Sequence, residues 1–167
     1  MALKMCVMCN QKKEIHQSDL KTLDRDGEFV CSAECLLAWI RQPRDFELKR
    51  DIPKYRYQIN AMNGGRYTSS KLHCSFRSGY EASVAEYLYA NNIMFLYEYV
   101  TFTWDTKQYT PDFFLYEYGC FVEPKGKWQP SARSKYLSFR ENFPQIPMIV
   151  AHWLLAKDIP KAHILGG

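Results

Sequence analysis

The chain has 167 residues, of which 47% are hydrophobic and 24% are charged. These proportions exclude a disordered segment and a coiled coil, and the length allows one ordinary domain with a small appendage. No apolar run approaches the roughly 18 to 20 residues of a membrane-spanning helix, so we expect no membrane partner. The first residues lack the apolar region of a secretory signal, so we expect a cytoplasmic protein with reduced cysteines.

The net charge of +4 is distributed unevenly along the chain. Residues 41–77 contain nine Lys and Arg against three Asp and Glu, a net charge of +6, whereas the segments on either side each carry −1. A basic excess confined to one segment predicts a polyanionic partner that is bound by a dedicated strip of the surface.

Residues 1–40 hold four of the six cysteines, as a C-x2-C pair and a C-x3-C pair separated by 21 residues: Cys6, Cys9, Cys31 and Cys35. Four sulfurs at this spacing suit tetrahedral zinc in a closed structural site. The region is too small and too polar to bury a core of its own, so we predict a zinc-binding module. The alternatives are reduced cysteines that act as small hydrophobic residues, an occasional redox pair, and His16 in place of one cysteine.

Residues 41–75 have the composition of an extended basic linker, with prolines and the turn signal Asn63-Gly64-Gly65. Basic residues alternate with aromatic ones here, a pattern in which Lys and Arg neutralise phosphates while the rings stack or pack. The alternative is a solvated linker with a short hairpin. The DNA-binding residues predicted in and just after this segment are Arg50, Lys54, Arg56, Arg66 and Arg77.

Residues 76–167 carry alternating helical and strand patterns that predict an α/β domain. The predicted elements are a helix over 79–90, strands over 93–103, 109–116 and 120–128, a helix over 131–142 capped by Ser131, and a strand over 147–153. The order α-β-β-β-α-β predicts a mixed sheet flanked by helices. Cys74, Cys120 and His152 are interpreted as packing residues.

Two carboxylates and a lysine are the chemically informative residues of this domain. Glu123 and Lys125 are two apart in one strand and therefore point to the same face, while a hairpin can bring Asp112 beside Glu123. Paired carboxylates repel unless a cation bridges them, and oxygen ligands favour Mg²⁺ or Mn²⁺. The alternative is an ordinary surface Glu-Lys pair with an unrelated turn aspartate.

Glu81 lies in the first turn of the predicted helix 79–90, on the stripe that faces the sheet. Its carboxylate is therefore predicted to point at the sheet, a position compatible with a third metal ligand. The competing interpretation is a capping box, in which Glu81 accepts a hydrogen bond from the backbone N–H of Ser78.

Four stretches of the chain resemble the bacteriophage endonuclease I family, junction-resolving nucleases of the PD-(D/E)xK superfamily: FRSGYE (76–81), YTPDF (109–113), FVEPKGKW (121–128) and SKYLSFRENFP (134–144). The resemblance implies a PD-(D/E)xK nuclease core and a catalytic metal site made of Glu81, Asp112, Glu123 and Lys125. It also implies an intertwined homodimer, in which the helix glutamate and the other catalytic residues come from different chains, acting on branched DNA.

The chain departs from the family pattern in its four-cysteine module and in Pro124, which replaces a residue with a backbone N–H. We expect a Mg²⁺- or Mn²⁺-dependent endonuclease that hydrolyses phosphodiester bonds of four-way junctions. One alternative is a site-specific duplex endonuclease whose zinc module and linker read sequence, and another is a non-catalytic zinc-containing DNA-binding protein. Further DNA-binding residues are predicted around the last helix at Lys127, Arg133 and Lys135.

Overall fold

The computed structural model describes residues 1–16, 29–46, 48, 65–126 and 128–165, together with the backbone of 57–59. Within these residues the helices are α1 (Ala33–Ile40), α2 (Gly79–Ala90) and α3 (Pro130–Asn142). The strands are β1 (Ala2–Met5), β2 (Lys12–Ile15), β3 (Tyr57–Ile59), β4 (Tyr67–Thr68), β5 (Ser75–Phe76), β6 (Leu96–Tyr97), β7 (Val100–Trp104), β8 (Lys107–Tyr109), β9 (Phe113–Leu115), β10 (Cys120–Lys125) and β11 (Met148–His152). No described helix combines the length and apolar character needed to cross a bilayer.

The central sheet has the strand order β11-β10-β9-β6. Strands β10 and β11 are parallel, with Glu123 opposite Val150, whereas β9 pairs antiparallel with both β10 and β6. Helix α3 makes the crossover that a parallel pair requires. The sheet is therefore mixed, and the prediction of a mixed α/β chain is confirmed.

Two predicted strands are each divided between two sheets. Residues 93–103 become β6 and β7, because Glu98 between them takes the left-handed conformation with φ 46° and ends the extended run. Residues 109–116 likewise divide into β8 and β9 around a bend at Asp112. Strands β7 and β8 form a hairpin that pairs with β3, so part of the predicted basic linker is a sheet strand.

The core is dominated by aromatic side chains from the sheets and from α3. Phe102 packs against Phe121, Phe139 and Phe143 with ring centroids 5.2–5.8 Å apart, and Tyr109 stacks on Phe139 at 4.6 Å. Such pairs add about 0.5–1.5 kcal/mol each beyond the burial of their area. This packing gives the strands that carry the acidic residues a rigid support.

The N-terminal cysteine segment packs directly on the central sheet. Phe29 is fully buried and forms a parallel bridge to Val150 of β11. The backbone N–H of Ala33 donates to Asp158 beyond β11 at 3.4 Å, and Ile40 at the end of α1 is fully buried. The division into segments 1–40, 41–75 and 76–167 stays a prediction.

The helix boundaries show where the local sequence signals succeeded and where they failed. The helix predicted over 79–90 is confirmed, with Ser78 as its N-cap. The predicted cap of the last helix at Ser131 is wrong: α3 begins at Pro130 after Gln129, which makes no capping hydrogen bond with its side chain. Proline is favoured in the first turn because its missing N–H has no partner there in any case, which moves the start back.

Candidate active site and cysteine cluster

A cavity of about 530 Å³ opens between α2, the central sheet and the β7–β8 hairpin. It brings together the four residues of the predicted catalytic site, Glu81, Asp112, Glu123 and Lys125. All four come from one chain, so the exchange of the helix glutamate between chains is not needed to assemble this cavity. Their catalytic roles stay predictions.

Glu123 sits at the centre of a hydrogen-bond network. Its side chain is 1% exposed, and its Oε2 accepts the backbone N–H of Asp112 at 2.9 Å. Its Oε1 accepts the hydroxyl of Tyr109 at 2.6 Å and lies 2.6 Å from Nζ of Lys125. The alternation of side chains along β10 predicts this Glu123–Lys125 contact, which the structure confirms.

Asp112 precedes β9 and lines the cavity, and one of its carboxylate oxygens has no compensating hydrogen bond within the described chain. Within the described chain its Oδ2 is buried and accepts no hydrogen bond, while Nζ of Lys125 lies 3.8 Å away. Burial and the charge of Glu123 raise the pKa of Asp112 well above its usual value, although Lys125 opposes this shift. An orphaned carboxylate oxygen beside a second carboxylate is a donor set that fits a hard divalent cation.

Lys125 keeps its proton in this environment. Burial by itself lowers the pKa of Lys125, but the charges of Glu123 and Asp112 outweigh it and raise the pKa above the usual value. The side chain remains 25% exposed, so the ammonium reaches the edge of the cavity. It is therefore a cationic donor near neutral pH and cannot act there as a base.

Glu81 reaches the cavity from the first turn of α2. Its backbone N–H donates to Oγ of Ser78, and its carboxylate accepts the hydroxyls of Ser78 at 2.8 Å and Tyr97 at 2.6 Å. The carboxylate also accepts the backbone N–H of Arg77 at 3.2 Å, not the N–H of Ser78 that a capping box uses. The capping box is therefore not formed as predicted: Ser78 caps the helix through its hydroxyl, and the carboxylate of Glu81 lines the cavity.

Glu98 is the site residue that the sequence interpretation missed. It lines the same cavity, is 6% exposed, and pairs with Nε of Arg77 at 2.7 Å. Burial raises the pKa of Glu98, and Arg77 opposes this shift. One sequence signal was available, since a single acid stands among aromatic and apolar residues in FLYEYV (95–100).

The β1–β2 hairpin and the start of α1 gather four thiols into one cluster. The ligand atoms of Cys6, Cys9, Cys31 and Cys35 all lie within 4.8 Å of one another, and the sulfurs of Cys31 and Cys35 are 3.8 Å apart. Four ligands at Zn–S distances of about 2.3 Å stand about 3.8 Å apart in a tetrahedron, so this cluster can hold a metal ion. His16 is exposed and lies outside the cluster.

The cysteine cluster stabilises one thiolate through its own backbone. Burial raises the pKa of Cys6, but backbone N–H groups, including that of Met8 at 3.4 Å, outweigh burial and lower the pKa to about 7. Burial and the neighbouring sulfurs raise the pKa of Cys31 to about 12. A lowered pKa at Cys6 favours metal binding, because the thiolate is the form of cysteine that ligates a metal ion.

A family comparison decides which group of proteins this chain belongs to. The family model for phage endonuclease I matches residues 62–154, more than half of the chain, and this range includes every acidic residue of the cavity together with Lys125. The chain belongs to the phage endonuclease I family.

Two relatives are similar to this endonuclease I family member over about half of their length. Endonuclease I of Escherichia phage T7 is 42% identical over 77 residues, covering 43% of this chain and 50% of the relative. Endodeoxyribonuclease 1 of Enterobacteria phage T3 is 38% identical over 76 residues, covering 43% and 49%. No solved structure matches this chain.

The predicted DNA-binding residues of this family member lie in different places. Arg77 and Lys135 line the cavity, whereas Arg66 is exposed on the β4–β5 side. Arg133 lies in α3, and its buried Nε has no hydrogen-bond partner within the described chain. The remaining four lie outside the described residues: Arg50, Lys54, Arg56 and Lys127.

Pro124 fits its strand because no hydrogen-bond donor is required at that position. Phe121 donates its N–H toward β11, and alternate residues of a parallel strand donate to the same side. The nitrogen of Pro124 therefore faces β9, whose pairing with β10 already ends at Val122. Of the three residues interpreted as packing residues, Cys120 and His152 are buried, and Cys74 is partly buried against the core.

Proposed function

We propose that this protein is a divalent-metal-dependent DNA endonuclease that hydrolyses phosphodiester bonds and selects branched DNA, above all four-way junctions. The observation that carries the proposal is the cavity in which Asp112 presents an orphaned buried oxygen beside Glu123 and Lys125. Membership of the phage endonuclease I family supports the choice of DNA and of branched substrates. We infer a PD-(D/E)xK nuclease core from the same resemblance.

The catalytic cation in this proposal is Mg²⁺ or Mn²⁺. Asp112 and Glu123 would hold it, with Glu81 as the third carboxylate at the cavity wall. The chemistry supplied by such a bound ion is polarisation of the phosphoryl oxygen and a lower pKa of a coordinated water. The oxygen-only donor set favours a hard cation over zinc at this position.

Lys125 acts on the developing negative charge in this proposal. Hydrolysis forms a bond between a water oxygen and phosphorus and breaks the bond to the leaving oxygen. The protonated Lys125 donates hydrogen bonds at the cavity edge, where it orients the water and stabilises the phosphorane. Tyr109 fixes the carboxylate of Glu123, so that the lysine and the acid keep their relative positions.

We assign the cysteine cluster to structural zinc. Four thiolate ligands close the coordination sphere, which leaves no position for a substrate and makes the ion a folding element. The cluster lies beside α1 and Phe29, and Phe29 pairs with Val150 of β11, the neighbour of the active-site strand β10. Free thiols of this kind persist in a reducing compartment, so we place the protein in the cytoplasm of a bacterium or phage-infected host.

Junction resolution needs two cuts in opposing strands, and we therefore propose a homodimer with one such cavity in each protomer. The cavity is assembled within a single chain, so dimerisation adds a second active site and exchange of elements is optional. The DNA-binding surface proposed around each cavity comprises Arg50, Lys54, Arg56, Arg66, Arg77, Lys127, Arg133 and Lys135.

A cleavage assay on a four-way junction and on a linear duplex of the same sequences tests this function. We expect Mg²⁺- or Mn²⁺-dependent cleavage of the junction, loss of cleavage in Lys125→Ala, and normal cleavage in the matched control Lys161→Ala, an exposed lysine away from the cavity. One preferred cut in random duplex DNA would instead support a site-specific endonuclease. DNA binding without cleavage in any divalent ion would support a non-catalytic binding protein.

A further inference from the structure

Glu98 occupies an unusual backbone conformation at the cavity wall. It lies between β6 and β7 with φ 46°, where a residue with a long side chain is disfavoured. Its backbone N–H donates to the carbonyl oxygen of Asp112 at 2.8 Å, which ties this turn to the chain beside the metal-binding acids. A strained residue that the surrounding structure holds in place is a common feature of functional sites.

The carboxylate of Glu98 is committed to Arg77. Its Oε1 lies 2.7 Å from Nε of Arg77, and the two side chains differ sharply in exposure, 7% for Glu98 and 67% for Arg77. The acid is therefore a buried anchor, and the guanidinium that it holds projects toward the solvent. The positive charge of this guanidinium would repel a metal ion at Glu98. We therefore do not count Glu98 among the metal-binding acids.

The backbone of Arg77 is fixed by a second set of contacts. Its N–H donates to Oε2 of Glu81 at 3.2 Å and to the hydroxyl of Tyr97 at 3.1 Å. Both ends of the arginine are thus restrained, the backbone by Glu81 and Tyr97 and the guanidinium by Glu98. The entropy that a free arginine loses on binding is already lost before a ligand arrives.

We propose that Glu98 is a positioning residue that holds Arg77 as a binding site for a phosphate group of the DNA backbone at the mouth of the cavity. A guanidinium has five N–H donors, so pairing through Nε leaves the Nη donors for phosphate oxygens. Charge-assisted pairs of this kind are among the stronger hydrogen bonds in proteins. This inference rests on the proposed function, because DNA is the ligand.

A double-mutant cycle of DNA affinity tests the inference without catalysis. The full-length protein binds a four-way junction in EDTA, and dissociation constants are measured for Arg77→Ala, Glu98→Gln and the double variant. We expect Arg77→Ala to weaken binding on the order of tenfold and Glu98→Gln roughly threefold. The double variant should bind no more weakly than Arg77→Ala, because Glu98 acts through the arginine.

The control variant Glu117→Gln removes the same charge from an exposed turn and should bind as the wild type does. An equal effect of Glu98→Gln with and without Arg77 would overturn the inference, as would unchanged affinity in Glu98→Gln. Should Glu98→Gln not fold by circular dichroism, Glu98→Asp replaces it, and its shorter side chain should also weaken binding only when Arg77 is present.

A second readout separates Glu98 from the metal ligands. In the cleavage assay, Glu98→Gln should raise KM for the junction while the Mg²⁺ concentration for half-maximal rate stays that of the wild type. A shift of the Mg²⁺ requirement would overturn the positioning role. Failure of the proposed function has a different signature, because wild-type protein would then bind DNA with the predicted coupling and cleave none of it.

Discussion

The backbone N–H of Asp112 donates a 2.9 Å hydrogen bond to the side-chain Oε2 of Glu123. The two acids are therefore held side by side by a main-chain contact, which leaves the carboxylate of Asp112 available to the cavity. One of its oxygens accepts no hydrogen bond within the described chain. Lys125 supplies one ammonium for these two carboxylates, so the metal-free protein still buries negative charge that a further cation or a proton would compensate.

Asp112→Asn should stabilise the metal-free protein while it abolishes cleavage. Asparagine removes the buried charge and keeps the shape, and we expect a gain of about 1 kcal/mol, or roughly 2–4 °C in melting temperature for a chain of this size. Thermal melts in EDTA measure the effect. Added Mg²⁺ should raise the melting temperature of the wild type more than that of the variant, since the ion binds the native carboxylates.

The stability difference between Asp112→Asn and the wild type should shrink as the pH falls. The pKa of Asp112 is raised in the folded state, so the folded protein binds this proton more tightly than the unfolded chain does. The resulting stabilisation is fully present below the ordinary value of 3.8 and is lost as the pH rises through the raised pKa. Melts of both proteins in EDTA, from slightly alkaline to mildly acidic pH, check this. A gap that widens on acidification would contradict the burial of an uncompensated charge.

Tyr109→Phe should reduce cleavage without removing it. The lost hydroxyl leaves Oε1 of Glu123 with one donor fewer and costs about 1–2 kcal/mol of stability because this oxygen is buried. A less firmly held Glu123 should lower kcat by about tenfold, since small displacements of positioning groups are costly. The matched control Tyr99→Phe alters a tyrosine that stacks on Phe114, and it should leave kcat unchanged.

Each chain should contain one zinc ion that depends on the cluster cysteines. Cys9→Ser removes an exposed ligand and should abolish the zinc content measured by elemental analysis. The melting temperature should fall by roughly 4–8 °C, about 2 kcal/mol, because the start of α1 and Phe29, which pairs with Val150 of β11, lose the ion that ties this segment together. Cys74→Ser is the control, since this cysteine lies apart from the cluster; zinc loss in Cys74→Ser, or retention in Cys9→Ser, would contradict the assignment.

The basic segment should govern the salt dependence of DNA binding. Replacing Arg50, Lys54 and Arg56 by alanine should reduce the slope of log K against log salt by about 0.9 for each phosphate that the variant no longer neutralises on duplex DNA. Binding isotherms between about 50 and 200 mM salt measure the slope. Alanine at three exposed lysines elsewhere, Lys12, Lys157 and Lys161, is the control. An unchanged slope in the first variant would assign the segment to a linker role.

Local patterns predicted the parts of the site that lie on single elements. The two-residue spacing along β10 predicted that Glu123 and Lys125 share a face, and Ser78 marked the start of α2. The C-x2-C and C-x3-C spacings predicted which four cysteines meet. These features depend on the periodicity of a strand or helix and on short turns, and the sequence expresses both directly.

Long-range packing decided the parts of the site that are built from several elements. Nothing in the order of residues shows that a strand predicted over 93–103 breaks at Glu98, because the left-handed turn there is held by the carbonyl of Asp112, which is distant in sequence. The same packing brings Glu98 to Arg77 and seats Phe29 on Val150. The residue types of an acidic, lysine-containing site were therefore determined by the sequence alone. Which charges remain uncompensated in the cavity was decided by the tertiary structure, since burial and hydrogen bonding exist only once the sheets are packed.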